Sequence, residues 1–187
     1  MTYVVIAIVV LIVLIVLWLI LTFNSLIRLR NEVQQGASSI DVQLKRRADL
    51  IPNLVEAGKG YAQHETAAFE SVTRARAAAL GAKTLDEKAA ADGEMQAAVG
   101  KLFAIAEAYP QLRAVESFTQ LQTELSDTED KIAAARRYYN ATVQAYNTKQ
   151  QTLPTSLIAG ALGHRPAEFY RVEDDADRQP VQVNLTA

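Results

Sequence analysis

The sequence predicts an all-α protein: an N-terminal transmembrane helix, then an elongated antiparallel helical bundle of three long helices plus a short C-terminal helical segment. Three observations predict this. Residues 3–23 (YVVIAIVVLIVLIVLWLILTF) form a run of 21 residues without a charge. The chain of 187 residues holds 31 Ala against 8 Gly and 5 Pro, a composition that favours helices and lets them approach closely. Phe118, Leu125, Ile132, Tyr139, Tyr146 and Leu153 recur every seven residues, the period of coiled-coil-like packing.

The first element is the anchor, residues 1–27, which contain no charged side chain. At about 1.5 Å per residue the apolar run covers roughly 30 Å, the thickness of a bilayer core. Val and Ile are poor helix formers in water, but in lipid the backbone must satisfy itself, so a single span has to be helical. A cleaved signal peptide is the alternative. It would need a basic start, a shorter apolar run and a small-x-small site, and Phe23-Asn24-Ser25-Leu26 is not such a site. Thr2 follows Met1, so myristoylation is excluded, and without Cys so are the other acyl and prenyl anchors. Arg28, Arg30, Lys45, Arg46 and Arg47 lie on the C-terminal side of the run, which by the positive-inside rule places the N-terminus outside and the remaining chain in the cytoplasm.

From 29 to 79 one long helical pattern follows. Apolar or small residues recur at steps of three or four through Val33, Ala37, Ile40, Leu44, Ala48, Ile51, Leu54, Gly58, Tyr61, Ala68, Val72, Ala75 and Ala79. Only Glu65 interrupts it. The phase survives Pro52, so the proline reads as a kink and not a stop. No breaker separates Phe23 from Val33, which allows this helix to continue from the span. Gly81-Ala82-Lys83 ends it, and Thr84 with Glu87 forms a capping box for a second helix. That helix carries Leu85, Ala89, Met95, Val99, Leu102 and Ala106 on one face and stops at Tyr109-Pro110. The third helix covers about 112–151. Its partner seam is mixed: Val115, Leu121, Thr128, Ala135 and Val143. Residues 155–170 are locally apolar and too short to span, so they read as a short helix plus loop folded on the bundle. The bundle domain is thus 28–170, and 171–187 is an acidic tail expected to be loosely ordered.

Composition removes several function classes. Nineteen Lys and Arg against 21 Asp and Glu give a net charge of −2, which does not suit a nucleic-acid binder. The lack of Cys removes disulfides, Cys-ligated zinc, Fe–S clusters and thiol catalysis. Neither His64 nor His164 has a Glu three residues before it, as a di-iron bundle requires. His64-Glu65 opens like a zincin motif, but Ala68 stands where the second His belongs. Gly58-Lys59-Gly60 lies mid-helix with no strand before it, so it is no phosphate loop. The reading is of a protein without catalytic, metal or cofactor-binding residues.

Three features stand above this background. Arg47 falls on the apolar seam, seven after Ile40 and seven before Leu54. It is expected to pair with a third-helix carboxylate, Glu129 or Glu124, because an unpaired buried charge costs several kcal/mol. The alternative is a solvated basic face, in which Arg28, Arg30, Lys45 and Arg46 meet anionic lipid. Arg136-Arg137-Tyr138-Tyr139 would pack the bundle and pair with acids in preference to binding RNA or another anion. His64-Glu65 reads as a structural polar pair, having too few ligands for a metal.

Taken together, these segments resemble the LemA family. The matching stretches are NSLIRLRN (24–31), IDVQLKRR (40–47), DLIPNLV (49–55), GKGYA (58–62) with His64-Glu65, Leu121-Gln122, Thr128-Glu129, Ile132-Ala133, Ala135-Arg136, Tyr139-Asn140, Ile158-Ala159-Gly160 and PAEF (166–169). Ser38-Ser39 and His164 depart from it, standing where the family has a larger residue and an aromatic. The resemblance implies a bacterial inner-membrane protein, single-pass, with a short outer N-terminus and a cytoplasmic helical domain. It does not imply an enzyme activity and carries over no catalytic residues, and it adds that some members associate with membrane metallopeptidases. The function expected is that of a membrane-anchored scaffold or adaptor that contacts the lipid bilayer and self-associates. A membrane-organising, anionic-lipid-binding protein is the first rival, and a metal-dependent enzyme the second.

Overall fold

The computed structural model describes residues 1–60 and 65–171. Among these the regular structure is helical throughout: α1 Thr2–Lys59, α2 Thr66–Gly81, α3 Leu85–Ala108, α4 Pro110–Arg113 and α5 Glu116–Gln151, then a 3₁₀ turn at Thr155–Leu157. The all-α class read from the sequence is the class observed. Tyr61, His64 and the tail from 172 lie outside the described residues.

Helix α1 runs unbroken from the apolar run through the basic stretch, with Pro52 inside it. Proline has no N–H, so the carbonyl of Ala48, four residues back, loses its helical donor. Arg76 on α2 replaces it, its Nε donating to the Ala48 carbonyl at 2.8 Å.

The expected single helix over 29–79 is two helices. α1 ends at Lys59, and α2 starts at Thr66 with Glu65 as its N-cap residue. Glu65 is the position that broke the apolar spacing, and it follows two glycines, each about 1 kcal/mol poorer than Ala in a helix. Beyond this break α2 folds back along α1. Phe69 lies on Gly58 and Arg76 on Ala48, so residue numbers rise along one helix as they fall along the other. The reversal buries Phe69, Val72 and Ala75 against Ile51, Leu54 and Val55, where a straight helix would leave both sets half-wetted.

The chain divides into two compact units, Met1–Ile40 with Ala135–Phe169, and Asp41–Ala134 with the chain from Tyr170. In the second, the core joins Ile51, Leu54, Val72, Met95, Leu102, Leu112, Phe118 and Leu125. The capping box is formed: the Glu87 N–H donates to Thr84 Oγ1 at 3.2 Å, and the Thr84 N–H donates to Glu87 Oε2 at 3.0 Å. A second donor, the Lys83 N–H at 2.7 Å, joins them, and these backbone donors hold the Glu87 carboxyl below its ordinary value. In the first unit Leu26, Tyr146 and Ala159 form a smaller apolar cluster.

Along α5 the seven-residue series is buried at Phe118, Leu125, Ile132, Tyr139 and Tyr146, and Leu153 departs from it because the helix ends at Gln151. Thr128 and Thr142 sit buried on the seam by returning their hydroxyls to the carbonyls of Glu124 and Tyr139, both at 2.7 Å.

Two glycines make opposite predictions. A Cβ on Gly58 would stand 2.6 Å from the Phe69 ring, which is buried and packed in the core. Gly58→Ala is therefore expected to cost about 1–3 kcal/mol. A Cβ on Gly100 meets nothing within 4 Å, so Gly100→Ala is expected to stabilise by about 0.5–1 kcal/mol through helix propensity. Thermal unfolding of the two variants checks the pair: shifts of the same sign would contradict it.

Candidate functional site

The polar centre of the second unit is built on Arg47. Its Nη1 pairs with Glu129 Oε2 on α5, and its Nη2 pairs with Asp92 Oδ1 on α3. The same Nη2 donates to the Asp92 carbonyl at 3.3 Å, and the Tyr170 hydroxyl donates to Asp92 Oδ2 at 3.1 Å. The side chains of Arg47 and Asp92 are 4% and 0% exposed, whereas Glu129 is 31% exposed. A guanidinium suits this place because its planar fork can serve two carboxylates at once. The trio ties together α1, α3 and α5.

Arg47 and Glu129 also line a cavity of about 280 Å³ with Gln96, Val99, Phe103 and Leu125. Val99, Phe103 and Leu125 supply its apolar and aromatic surface, and Gln96, Gln122 and Ser126 add polar groups to the ion pair. Beyond the trio, Lys88 Nζ bonds Asp41 Oδ1 at 2.6 Å, on a more exposed part of the same unit. Glu65 accepts the Tyr109 hydroxyl at 3.1 Å, a bond that raises the Tyr109 pKa above its ordinary value. No group of three or more His, Asp or Glu suited to a metal occurs among the described residues.

The first unit has its own polar site, where residues 159–169 clasp α5. Asn147 holds Ala167 by both backbone groups, Nδ2 donating to its carbonyl and Oδ1 accepting its N–H, each at 2.9 Å. The Tyr139 hydroxyl donates to the Glu168 carbonyl at 2.8 Å. Tyr146 and His164 Nδ1 share a hydrogen bond at 2.9 Å, and the His164 ring stands edge-on to Phe23. Gly163, at φ +76°, makes the turn that brings His164 inward. Burial raises the Tyr139 and Tyr146 pKa values. Burial, with Arg30 adding to it, lowers that of His164.

The His164 shift has a sign that can be tested. Its folded form favours the neutral ring, so the unfolded chain binds the extra proton first. The stability it contributes is complete above the ordinary value of 6.5 and is lost as pH falls through 6.5 toward the lowered folded value. A series of melts below pH 7 should show this loss in the parent chain and a shallower one in His164→Asn. Equal slopes would contradict the assignment.

The structure brings together Arg47 and Glu129 of the residues singled out in the sequence. Glu124 is half-buried on the same helix, and its carbonyl takes the Thr128 hydroxyl. Arg28, Arg30, Lys45 and Arg46 are all exposed. Tyr139 is buried, whereas its neighbours Arg137 and Tyr138 are exposed. Sequence reasoning missed Asp92, yet a signal was present: Asp92 lies three residues after Ala89 and three before Met95, a charge on the apolar face of α3. Tyr170 carried no such signal, since it sits outside any helix.

The fold and site define an all-helical protein class with one long N-terminal helix, apolar enough over its first turns to cross a bilayer, and a polar trio that joins this helix to α3 and α5. The chain belongs to the LemA family, whose model matches residues 36–185. It is 26% identical over 193 residues to "Magnetosome protein MamQ 2" of Paramagnetospirillum magneticum, covering 89% of this chain and 71% of that protein. Against "Magnetosome protein MamQ" of Magnetospirillum gryphiswaldense it is 27% identical, covering 85% and 68%. "Protein LemA" of Metamycoplasma hominis is 30% identical over 141 residues, covering 74% of this chain and 64% of that protein.

Proposed function

We propose that this chain is a non-catalytic, self-associating scaffold or adaptor, held in the cytoplasmic membrane of a bacterium by one span, with its C-terminal bulk on the cytoplasmic side. The observation that carries this reading is the continuity of α1: one helix includes both the apolar run and Arg47, around which the second unit is built. Such a helix presents folded surfaces beside a membrane without needing a chemical step. The basic residues that follow the run, Arg28 and Arg30 first among them, support the orientation.

Crosslinking in intact membranes, followed by mild extraction and mass spectrometry, tests the reading. A ladder of this chain alone supports a self-assembling scaffold. A discrete second protein, with a membrane metallopeptidase among those to look for, supports an adaptor. A monodisperse monomer without partners contradicts both.

A second reading, as an anionic-lipid organiser, is favoured by one observation. Arg28 and Arg30 are exposed directly after the apolar run, at the level where headgroups would lie. Enrichment of anionic lipid in native-lipid discs, lost in Arg28→Gln/Arg30→Gln, would support it.

A further inference from the structure

The first unit leaves leucines uncovered beside the end of the apolar run. There α5 runs antiparallel to α1: Gly36 lies against Tyr139, and further back along α1, Leu26 packs with Tyr146 and Ala159. Two turns beyond Tyr146, the chain at Leu153 stands level with the last turns of the run. Thr22 is buried, Trp18 half-buried and the Phe23 ring edge-on to His164, whereas residues 3–17 are all exposed.

The segment that follows α5 has no fixed charge between Lys149 and Arg165. It docks through Thr155, Ala159 and His164, all buried. Its other side shows Leu153, Leu157 and Leu162, which are 76%, 75% and 40% exposed. An apolar face of this kind marks a contact surface.

We propose that residues 153–162 form a second membrane contact, with Leu153, Leu157 and Leu162 entering the headgroup–acyl boundary of the leaflet where α1 leaves the bilayer. The occupant is lipid because the leucine face continues the lipid-facing surface of α1 at the same level. Ten residues are too few to cross a bilayer, so the segment lies in its plane, about 5–10 Å deep, as interfacial segments do. Arg28, Arg30 and Arg165 are exposed on the polar side of this level, where they meet headgroups. The inference rests on the reading of 3–23 as a membrane span.

The chain has no Cys, so a single introduced thiol reports one place. Leu157→Cys in the full chain, labelled with an environment-sensitive fluorophore, is placed in phospholipid nanodiscs that carry spin-labelled lipid. The expected result is blue-shifted emission, lost most strongly to lipid labelled near the headgroup. Leu80→Cys on α2, also exposed, should emit as in water. Trp18, the single tryptophan, reports the span separately. A Leu157 label quenched by aqueous iodide and not by lipid, with Trp18 still quenched by lipid, overturns the second contact and leaves the span intact. A blue shift without lipid quenching means that protein covers the leucines, and also overturns it. Trp18 untouched by lipid overturns both. Leu153→Cys repeats the measurement at a second exposed position.

Discussion

Arg47→Ala is expected to lower the unfolding free energy by about 3–5 kcal/mol. The size follows from what is left behind. Asp92 is wholly buried, and removing the guanidinium takes from its carboxylate the cation it pairs with, leaving the Tyr170 hydroxyl in place. Glu129 contributes less to the loss, being partly exposed and able to turn to water. Arg47→Lys keeps the charge but replaces a two-pronged fork with one point donor, so it should fall between the parent and Arg47→Ala. Adding Asp92→Ala to Arg47→Ala removes the stranded charge, and the double variant should be less damaged than the sum of the two singles. Thermal and urea unfolding of the four proteins measure this directly. A loss under about 1 kcal/mol for Arg47→Ala would mean that the guanidinium is solvated.

Phe118→Ala should cost a similar amount, about 3–5 kcal/mol, for an apolar reason. Phe118 is 1% exposed at the start of α5, and its ring stands edge-on to Phe103 with centroids 6.3 Å apart. It packs in the core that also holds Leu102, Leu112 and Leu125. Truncation removes the buried ring and opens a hole that this close-packed surrounding fills only in part. Phe118→Leu keeps most of the volume and should cost less than half as much. The same denaturation series decides: equal losses for Ala and Leu would show that ring shape and not buried volume sets the energy.

The fold was legible wherever one helix face repeated without interruption. The series from Phe118 to Tyr146 named five buried residues of α5 from spacing alone, because a helix face has a fixed period whatever it packs against. The capping box at Thr84 was equally readable, since it is a contact between residues three apart. Pro52 could be read as tolerated because the apolar phase continued beyond it, but its compensation by Arg76 could not, because that donor comes from another helix. The break after Lys59 was hidden for a related reason. Apolar spacing of three and four survives a reversal of direction, so 29–79 looks the same as one rod or as a hairpin, and the pairings of Phe69 with Gly58 and of Arg76 with Ala48 distinguish them. In the site, the heptad spacing put Arg47 on its seam and Glu129 beside the facing one, whereas Asp92 was passed over as a charge in an apolar row.

By itself, then, the sequence determined the helical class, the apolar run and the helix faces. These depend on residue type and local spacing. Tertiary structure alone decided that α2 turns back, that Asp92 and Tyr170 complete the polar centre around Arg47, and that residues 159–169 clasp α5. Each of these joins residues far apart in the chain, and such a contact is set by which faces can be buried together and not by any period along one helix.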